Sequence, residues 1–395
     1  MNAALLHSEV QKFIRHYSED TSVLAFKGSP FDDCTVQELI EQIEGFRKTK
    51  KKLPNWHQTE GIYFPPKLNI EQTSSEVTAH YKASLVSGST LADITGGLGI
   101  DTLYFAKHFK TVAYFELNKE LADIAAHNFD KLGVTNIGCT VGDGLVAVLK
   151  EQYDTIYVDP ARRHSAKGKV FFLNDCEPNV VGKTDAILEH CQSLLIKTSP
   201  MLDISVGLSE LKNVVEIHVV AVENEVKELL WLLQREPPPA IAVKTVNFTK
   251  TEIETFEFTY GTKSLPSYGL PQRYLYEPNA AIMKAGAFTS VTETFAVLKL
   301  HVNSHLYTSD ALMEFPGRRF KIDRAIPYRK SEMKKHLAGI KANISTRNFP
   351  ETVQVLRKKW KIKDGGDVYL FFTTVLDNER KVLICSKINS SFEGE

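Results

Sequence analysis

No apolar run in the 395-residue chain approaches the roughly 20 residues a bilayer-crossing helix needs. A membrane-embedded protein is therefore not expected. The opening stretch, MNAALLHSEVQKFIRHYSED, reads as an amphipathic helix in which His7 and Glu9 interrupt any signal-peptide core. Cysteine is scarce: Cys34, Cys139, Cys176, Cys191 and Cys385 are odd in number, scattered and never spaced as CxxC. That excludes a disulfide framework and a zinc cluster; it suits reduced thiols in a cytoplasm, and no metal is expected. Internal repeats and low-complexity tracts are missing too. So is net charge, with 48 Lys and Arg against 48 Asp and Glu.

The balance conceals an asymmetry. From Arg318 to Lys363 there are 15 basic residues and three acidic ones (Asp323, Glu332, Glu351), a net of +12, so the remainder carries −12. A second run, RKTKKK from Arg47 to Lys52, sets five positive charges in six residues. A positive end on a neutral protein points to a polyanionic partner, although each run taken singly also suits a solvated surface. The length implies two or three domains, and 43% hydrophobic with 24% charged residues is a globular composition.

The first 88 residues read as helical. CTVQELIEQIEGF opens with a capping box, Thr35 with Glu38, and TSSEVTAHYKASLV repeats the pattern with Thr73 and Glu76. From Leu91 the rhythm becomes strand, loop, helix, with strands expected at LADI, TVAYFE, IGCTV, YDTIYVD, SLLIKTS, VVEIHVVAV and AIAVKTVNF. VENEVKELLWLLQ is expected as a helix before the last of these, and TEIETFEFTY as an edge hairpin. Such alternation predicts an α/β fold, a doubly wound parallel sheet covered by helices on both faces. Composition shifts after KSLPSYGLPQ. The expected divisions are a helical region 1–88, the doubly wound domain 89–265, a small α+β subdomain 266–320 and a basic domain 321–395.

The stretch LADITGGLGIDTLYFA carries the chemistry. A dinucleotide fingerprint requires G-x-G-x-x-G, but from Gly97 the chain reads G-L-G-I-D-T, without the third glycine. Asp93 and Asp101 bracket the loop, which disfavours a pyrophosphate. They suit S-adenosylmethionine, whose methionine end carries an ammonium group. Glu116, ending the second strand before Leu117, matches ribose hydroxyls, as the same acid does in nicotinamide enzymes; Asp143, before Gly144, matches an adenine amine. Asp159-Pro160 ends the fourth strand. Asp143 alone is also an ordinary turn, and Asp101 an ordinary first-turn acid favouring the helix dipole. Four acidic positions at successive strand ends favour S-adenosylmethionine.

These residues resemble class I S-adenosylmethionine-dependent methyltransferases. DITGGLGID resembles the glycine motif, YFELN the ribose acid, VGDG the adenine-side acid and DPAR the catalytic loop. With EQTSSEVTAHYKA, YLYEPNAAIMKAG and ANISTRNFP, the chain resembles bacterial proteins in which a Rossmann-like methyltransferase domain precedes a small α+β THUMP-like domain. The resemblance implies a cofactor site of Thr73, Ser75, Asp93, Thr95, Gly96, Gly97, Gly99, Asp101, Glu116, Leu117, Asp143 and Gly144. It implies Asp159, Pro160 and Arg162 as the catalytic loop and an RNA substrate, tRNA or rRNA; Arg163 beside that loop, Lys197 at the end of the fifth strand and Asn279 in YEPNAA are the candidate substrate contacts. The chain departs from amino-methyltransferases at Ala161 and Arg162, where a proline and a stacking aromatic are usual. Enzymes that methylate pyrimidine carbon use a cysteine nucleophile, and the nearest thiol here is Cys176. Thr73 is equally a helix cap, Lys197 a surface lysine, Asn279 a cap, and Arg162-Arg163 a salt-bridged loop. Methylation of a protein or small molecule, and a non-catalytic binder of S-adenosylmethionine or RNA, are the alternatives.

Overall fold

The computed structural model describes residues 1–65, 70–71, 73–163, 172–262 and 265–388. It divides into two compact units: residues 1–217 with 228–241, and residues 218–227 with 242–395.

In the first unit the strands are β1 (Thr90–Asp93), β2 (Thr111–Glu116), β3 (Ile137–Val141), β4 (Tyr153–Val158), the short pair β5 (Ala161–Arg162) and β6 (Cys176–Glu177) and β7 (Cys191–Thr198); it also holds the start of β8 (Val214–Val222) and the later part of β9 (Glu225–Gln234), whose residues 218–227 belong to the second unit. Within this unit the strand order is β9-β7-β4-β1-β2-β3. β1 lies between β2 and β4, parallel to both. The strand order therefore reverses there, and a ligand crevice opens at the carboxyl ends of β1 and β4.

β9 corrects the sequence reading, which made VENEVKELLWLLQ a helix. The chain turns at Glu223 and Asn224, both with positive φ (50° and 63°), the conformation of a two-residue hairpin tip. β9 then pairs antiparallel with β7, Ser193 opposite Gln234 through Thr198 opposite Leu229. Leu229 to Leu233 are all buried. An unbroken apolar run buried on both faces suits a central strand as well as a helix, and tertiary pairing decides it.

The amino-terminal helices pack as expected. Leu5, Val10, Ile14, Leu24, Leu39 and Ile43 form one apolar cluster that includes Ile124 from the helix Lys119–Lys131. Thr35 and Glu38 form the capping box. The helix Glu76–Ser84 is capped by Ser75, through Thr78, and not by Thr73. The RKTKKK run is largely spent inside the unit: Arg47 donates to the carbonyls of Tyr17 and Glu19, Lys48 pairs with Glu71, and Lys52 donates to the carbonyls of Ile70 and Glu71.

The second unit contains an antiparallel hairpin, β10 (Ala242–Phe248) with β11 (Ile253–Thr259). It also contains β12 (Tyr274–Pro278), β13 (Leu298–Lys299), β14 (Tyr307–Ser309), β15 (Gly317–Pro327), β16 (Asn343–Arg347), β17 (Val368–Thr374) and β18 (Arg380–Ile388). These seven form one sheet in the order β13-β14-β12-β15-β18-β17-β16. β15 straddles the expected boundary at residue 320. Met333, Leu337, Leu356 and Trp360, from the helices Lys330–Leu337 and Val353–Trp360, pack on Leu370, Phe372 and Val382. Trp360 is thus a core residue whose Nε1 donates to the Tyr328 hydroxyl at 3.2 Å.

Candidate active site

A cavity of about 330 Å³ opens at the carboxyl ends of β1, β2 and β4. Its lining contains six carboxylates (Asp93, Asp101, Glu116, Asp143, Asp159 and Glu177) and, among the described residues, no Lys, Arg or His. A lining without a basic side chain offers a phosphate no cationic partner and suits a cationic ligand.

Asp93 is 1% exposed, its oxygens accepting from Thr95 N (3.0 Å) and Thr102 Oγ1 (2.6 Å). Burial pushes its carboxyl up to about 7; the two hydrogen bonds oppose this, and Asp101 and Asp159 add to it. Asp101 behaves oppositely. Burial raises its pKa, but Lys82 and Lys197 outweigh burial and hold it below the ordinary value. Its Oδ2 accepts from Ser74 Oγ (2.9 Å) and Tyr157 OH (2.7 Å). Its Oδ1 is buried, lacks a hydrogen-bond partner and lies 3.3 Å from Lys82 Nζ.

Lys82 has no solvent exposure and donates to Glu228 (2.7 and 2.8 Å) and to Ser74 Oγ (3.0 Å). Lys197 donates to Asp159 Oδ2 with its side chain only 13% exposed, so it is no surface lysine. Burial opposes its charge, but Asp159, Asp101 and Glu228 together raise its pKa above the ordinary lysine value. The Asp159 backbone N–H is tied to Thr95 Oγ1 at 2.7 Å. Asp159 is therefore anchored at both backbone and side chain.

Glu116 accepts from Gly97 N (2.9 Å) and Asn118 N (2.8 Å), which clamps the glycine loop to the end of β2. Asp143 caps the helix Gly144–Val148 through Oδ1, accepting from Leu145 N and Val146 N. Most of these glycines face the protein's own side chains or backbone. A Cβ on Gly96 would lie 2.1 Å from the Tyr114 ring, and one on Gly99 2.2 Å from the Phe129 ring. One on Gly144 would lie 2.7 Å from Ile94. The protein's own packing excludes those side chains. Only Gly97, at φ +55°, has nothing nearer than 3.8 Å.

Of the expected cofactor residues, Thr73, Asp93, Thr95, Gly96, Gly97, Asp101, Glu116, Leu117, Asp143 and Gly144 line this cavity. Ser75 is the helix cap, and Gly99 is the left-handed residue opening the helix Ile100–Phe105. In the catalytic loop Asp159 and Ala161 line the cavity, Pro160 is buried and Arg162 is half-buried opposite Cys176. Arg163 pairs with Glu177 at 3.0 Å, so the loop is salt-bridged. Asn279 caps the helix Ala280–Ala285 in the second unit, and its amide donates to Glu254. Cys176 is buried, and desolvation, with Asp175 and Glu210 adding, pushes its thiol up to about 11. That is the opposite of an activated nucleophile.

Ser74, Tyr157, Lys82, Glu228 and Glu177 escaped the sequence reading. Tyr157 was within reach, because in YDTIYVDP it stands two residues before Asp159 and strand alternation puts both on one face. Lys82 and Glu228 carried no such signal.

A crystal structure from Porphyromonas gingivalis W83, described as that of a candidate methyltransferase, is 33% identical to this chain. The match covers 98% of both chains with a TM-score of 0.87. The chain belongs to that protein's family. The family's carboxyl-terminal part is recognisable here: residues 274–316 match a ferredoxin-like domain and residues 317–387 a THUMP domain-like family. Partial similarities include an rRNA methylase from Streptococcus thermophilus (17% identity, 40% of this chain and 93% of that one, TM-score 0.30). Another is a Pyrococcus abyssi tRNA (uracil-54, C5)-methyltransferase with S-adenosyl-L-homocysteine (21% identity, 41% of this chain and 39% of that one, TM-score 0.31). No curated protein matches the chain. Among the described residues no helix is long and apolar enough to cross a membrane, and no cluster of His, Cys, Asp and Glu could hold a metal ion.

Proposed function

We propose that the chain transfers a methyl group from S-adenosylmethionine to a base in RNA. The observation that carries this reading is the acid-only cavity at the sheet's switch point, with Asp159 anchored at its rim. The residues fit the cofactor. Asp101 and the other lining acids suit an ammonium group, and the open side of Gly97 leaves room for close approach. Each Glu116 oxygen has lone-pair capacity left for ribose hydroxyls, and Asp143 Oδ2 is available for an adenine amine. When bound, the sulfonium supplies an already activated methyl group.

The chain's own task is to position the acceptor and exclude water. Lys197 fixes the Asp159 carboxylate, which orients an incoming nitrogen or takes its proton; a general base contributes about 10²–10⁴-fold. Cys176, buried with a raised pKa, disfavours a covalent route through sulfur. RNA is supported by the THUMP-like match and by basic side chains exposed in the second unit, including Lys321, Lys330, Lys334, Lys335 and Lys361. Contacts of this kind weaken steeply with salt.

The test offers S-adenosylmethionine with a tritiated methyl group to total RNA from cells lacking the gene, with an Asp159→Ala chain beside it. Label in RNA with the native chain alone supports the reading. Bound cofactor without label in RNA overturns the substrate and moves the assay to protein and metabolite fractions. Deleting Arg318 onward is unsuitable as a control, because it strips β12 of its partner β15.

A further inference from the structure

Glu277 stands on β12 as the cross-strand partner of Arg318 on β15, and its side chain is 5% exposed. Arg318 Nε donates to Glu277 Oε2 at 2.6 Å, and Arg347, from the end of β16, reaches Glu277 Oε1 at 2.5 Å. One buried carboxylate is thus shared by two guanidinium groups. A single cation would neutralise it, so the cluster keeps one net positive charge. Both arginine side chains are 38% exposed. Neither is floppy: Arg318 lies over the rings of Phe320 and Phe371, and Arg347 Nη1 also donates to the Thr346 carbonyl.

Glu277, Arg318 and Arg347 line one cavity of about 280 Å³, together with Asn224, Asn279 and Met283. The two asparagines are already committed, Asn224 Oδ1 to Ala280 N and Asn279 to its own helix and Glu254. The guanidinium groups are not. Each has five N–H donors in a planar fork, and the contacts above leave some unused.

We propose that this cavity is a binding site for a phosphate-class anion, gripped between Arg318 and Arg347 while Glu277 holds the two forks in place. A tetrahedral oxyanion accepts several N–H donors at once, which is the geometry paired guanidinium groups match. Two sources share that chemistry, a phosphodiester of RNA and a free phosphate. The first rests on the function proposed above; the site itself does not.

Two titrations on the full chain separate these. In one, a fluorescently labelled single-stranded RNA 20-mer is titrated at several salt concentrations; in the other, inorganic phosphate is titrated by calorimetry. Arg347→Gln should weaken RNA binding about tenfold and reduce the salt slope by about one, with Arg347→Lys falling between it and the native chain. The double variant Glu277→Gln/Arg347→Gln removes one charge of each sign, so it keeps the measurement informative if the single variant misfolds. Loss of RNA affinity assigns the site to a phosphodiester. Unchanged RNA affinity, or no RNA binding by the native chain, combined with phosphate binding lost in Arg347→Gln assigns it to a free anion; in the second case the RNA reading falls alone. A variant that matches the native chain in both titrations, or a native chain that binds neither probe, overturns the site.

Discussion

Lys82 and Glu228 stand 146 residues apart in the chain, yet form a buried ion pair of 2.7 Å. Both are under 5% exposed, and the same ammonium lies 3.3 Å from Asp101 beneath the cavity. Removing one member of such a pair strands the other charge. Lys82→Met should therefore cost the first unit about 3–5 kcal/mol in urea unfolding. Lys82→Met with Glu228→Leu should recover a good part of that. A single-variant loss below about 1 kcal/mol would contradict this account.

Asp93 makes the fold pH-sensitive in an unusual direction. Its carboxyl is raised by burial from an ordinary 3.8 to about 7. Between those values the folded chain holds a proton that the unfolded chain has released, so this group lowers stability as pH rises through the window and adds nothing beyond it. Asp93→Asn should flatten that part of the stability–pH curve relative to the native chain. Parallel curves for the two proteins from about pH 4 to 7 would show that Asp93 is not the titrating group.

The loop glycines divide by what opposes a side chain. Gly96→Ala drives a methyl group into the Tyr114 ring and should lower Tm by several degrees, as should Gly99→Ala against Phe129. Gly97→Ala meets only its left-handed backbone, a cost of about 1 kcal/mol, yet faces the open side of the loop. Its effect should fall on affinity for S-adenosylhomocysteine, read by calorimetry. If Gly97→Ala binds that ligand normally, the loop does not approach the cofactor as proposed.

Asp159→Asn should cut methyl transfer by about 10²–10⁴-fold while S-adenosylhomocysteine binding changes little. Lys197→Met should reproduce the drop in kcat, since it frees the same carboxylate. A rise in KM for the cofactor without a fall in kcat would move both residues from chemistry to binding.

Cys176→Ala should retain activity within about threefold, and iodoacetamide at pH 8 should label this thiol slowly, because burial leaves little thiolate. Abolished transfer with the fold intact would restore the covalent route.

The strand-end acids were legible because they depend on one local pattern: a short apolar run, a turn and an acid where the strand stops. Asp93, Glu116, Asp143 and Asp159 all occupy such positions, and all four line the cavity. What lies beneath them was not legible. Glu228 stands at the head of an apolar run that suits a helix or a central strand equally, and only the strand's pairing with β7, from Leu229 on, fixes the side from which it meets Lys82. The loop glycines illustrate the converse. Their presence was visible, but whether ligand or protein fills the missing Cβ positions depends on Tyr114 and Phe129, which are distant in sequence.

β12 and β15 share five consecutive register pairs, from Tyr274 opposite Lys321 to Pro278 opposite Gly317. The border between the two recognised families, 274–316 and 317–387, therefore falls at the edge of a hydrogen-bonded seam. Each half supplies the other with a neighbouring strand at that seam. A protein carrying residues 317–387 alone would have to pair or cover the β15 edge that β12 occupies here.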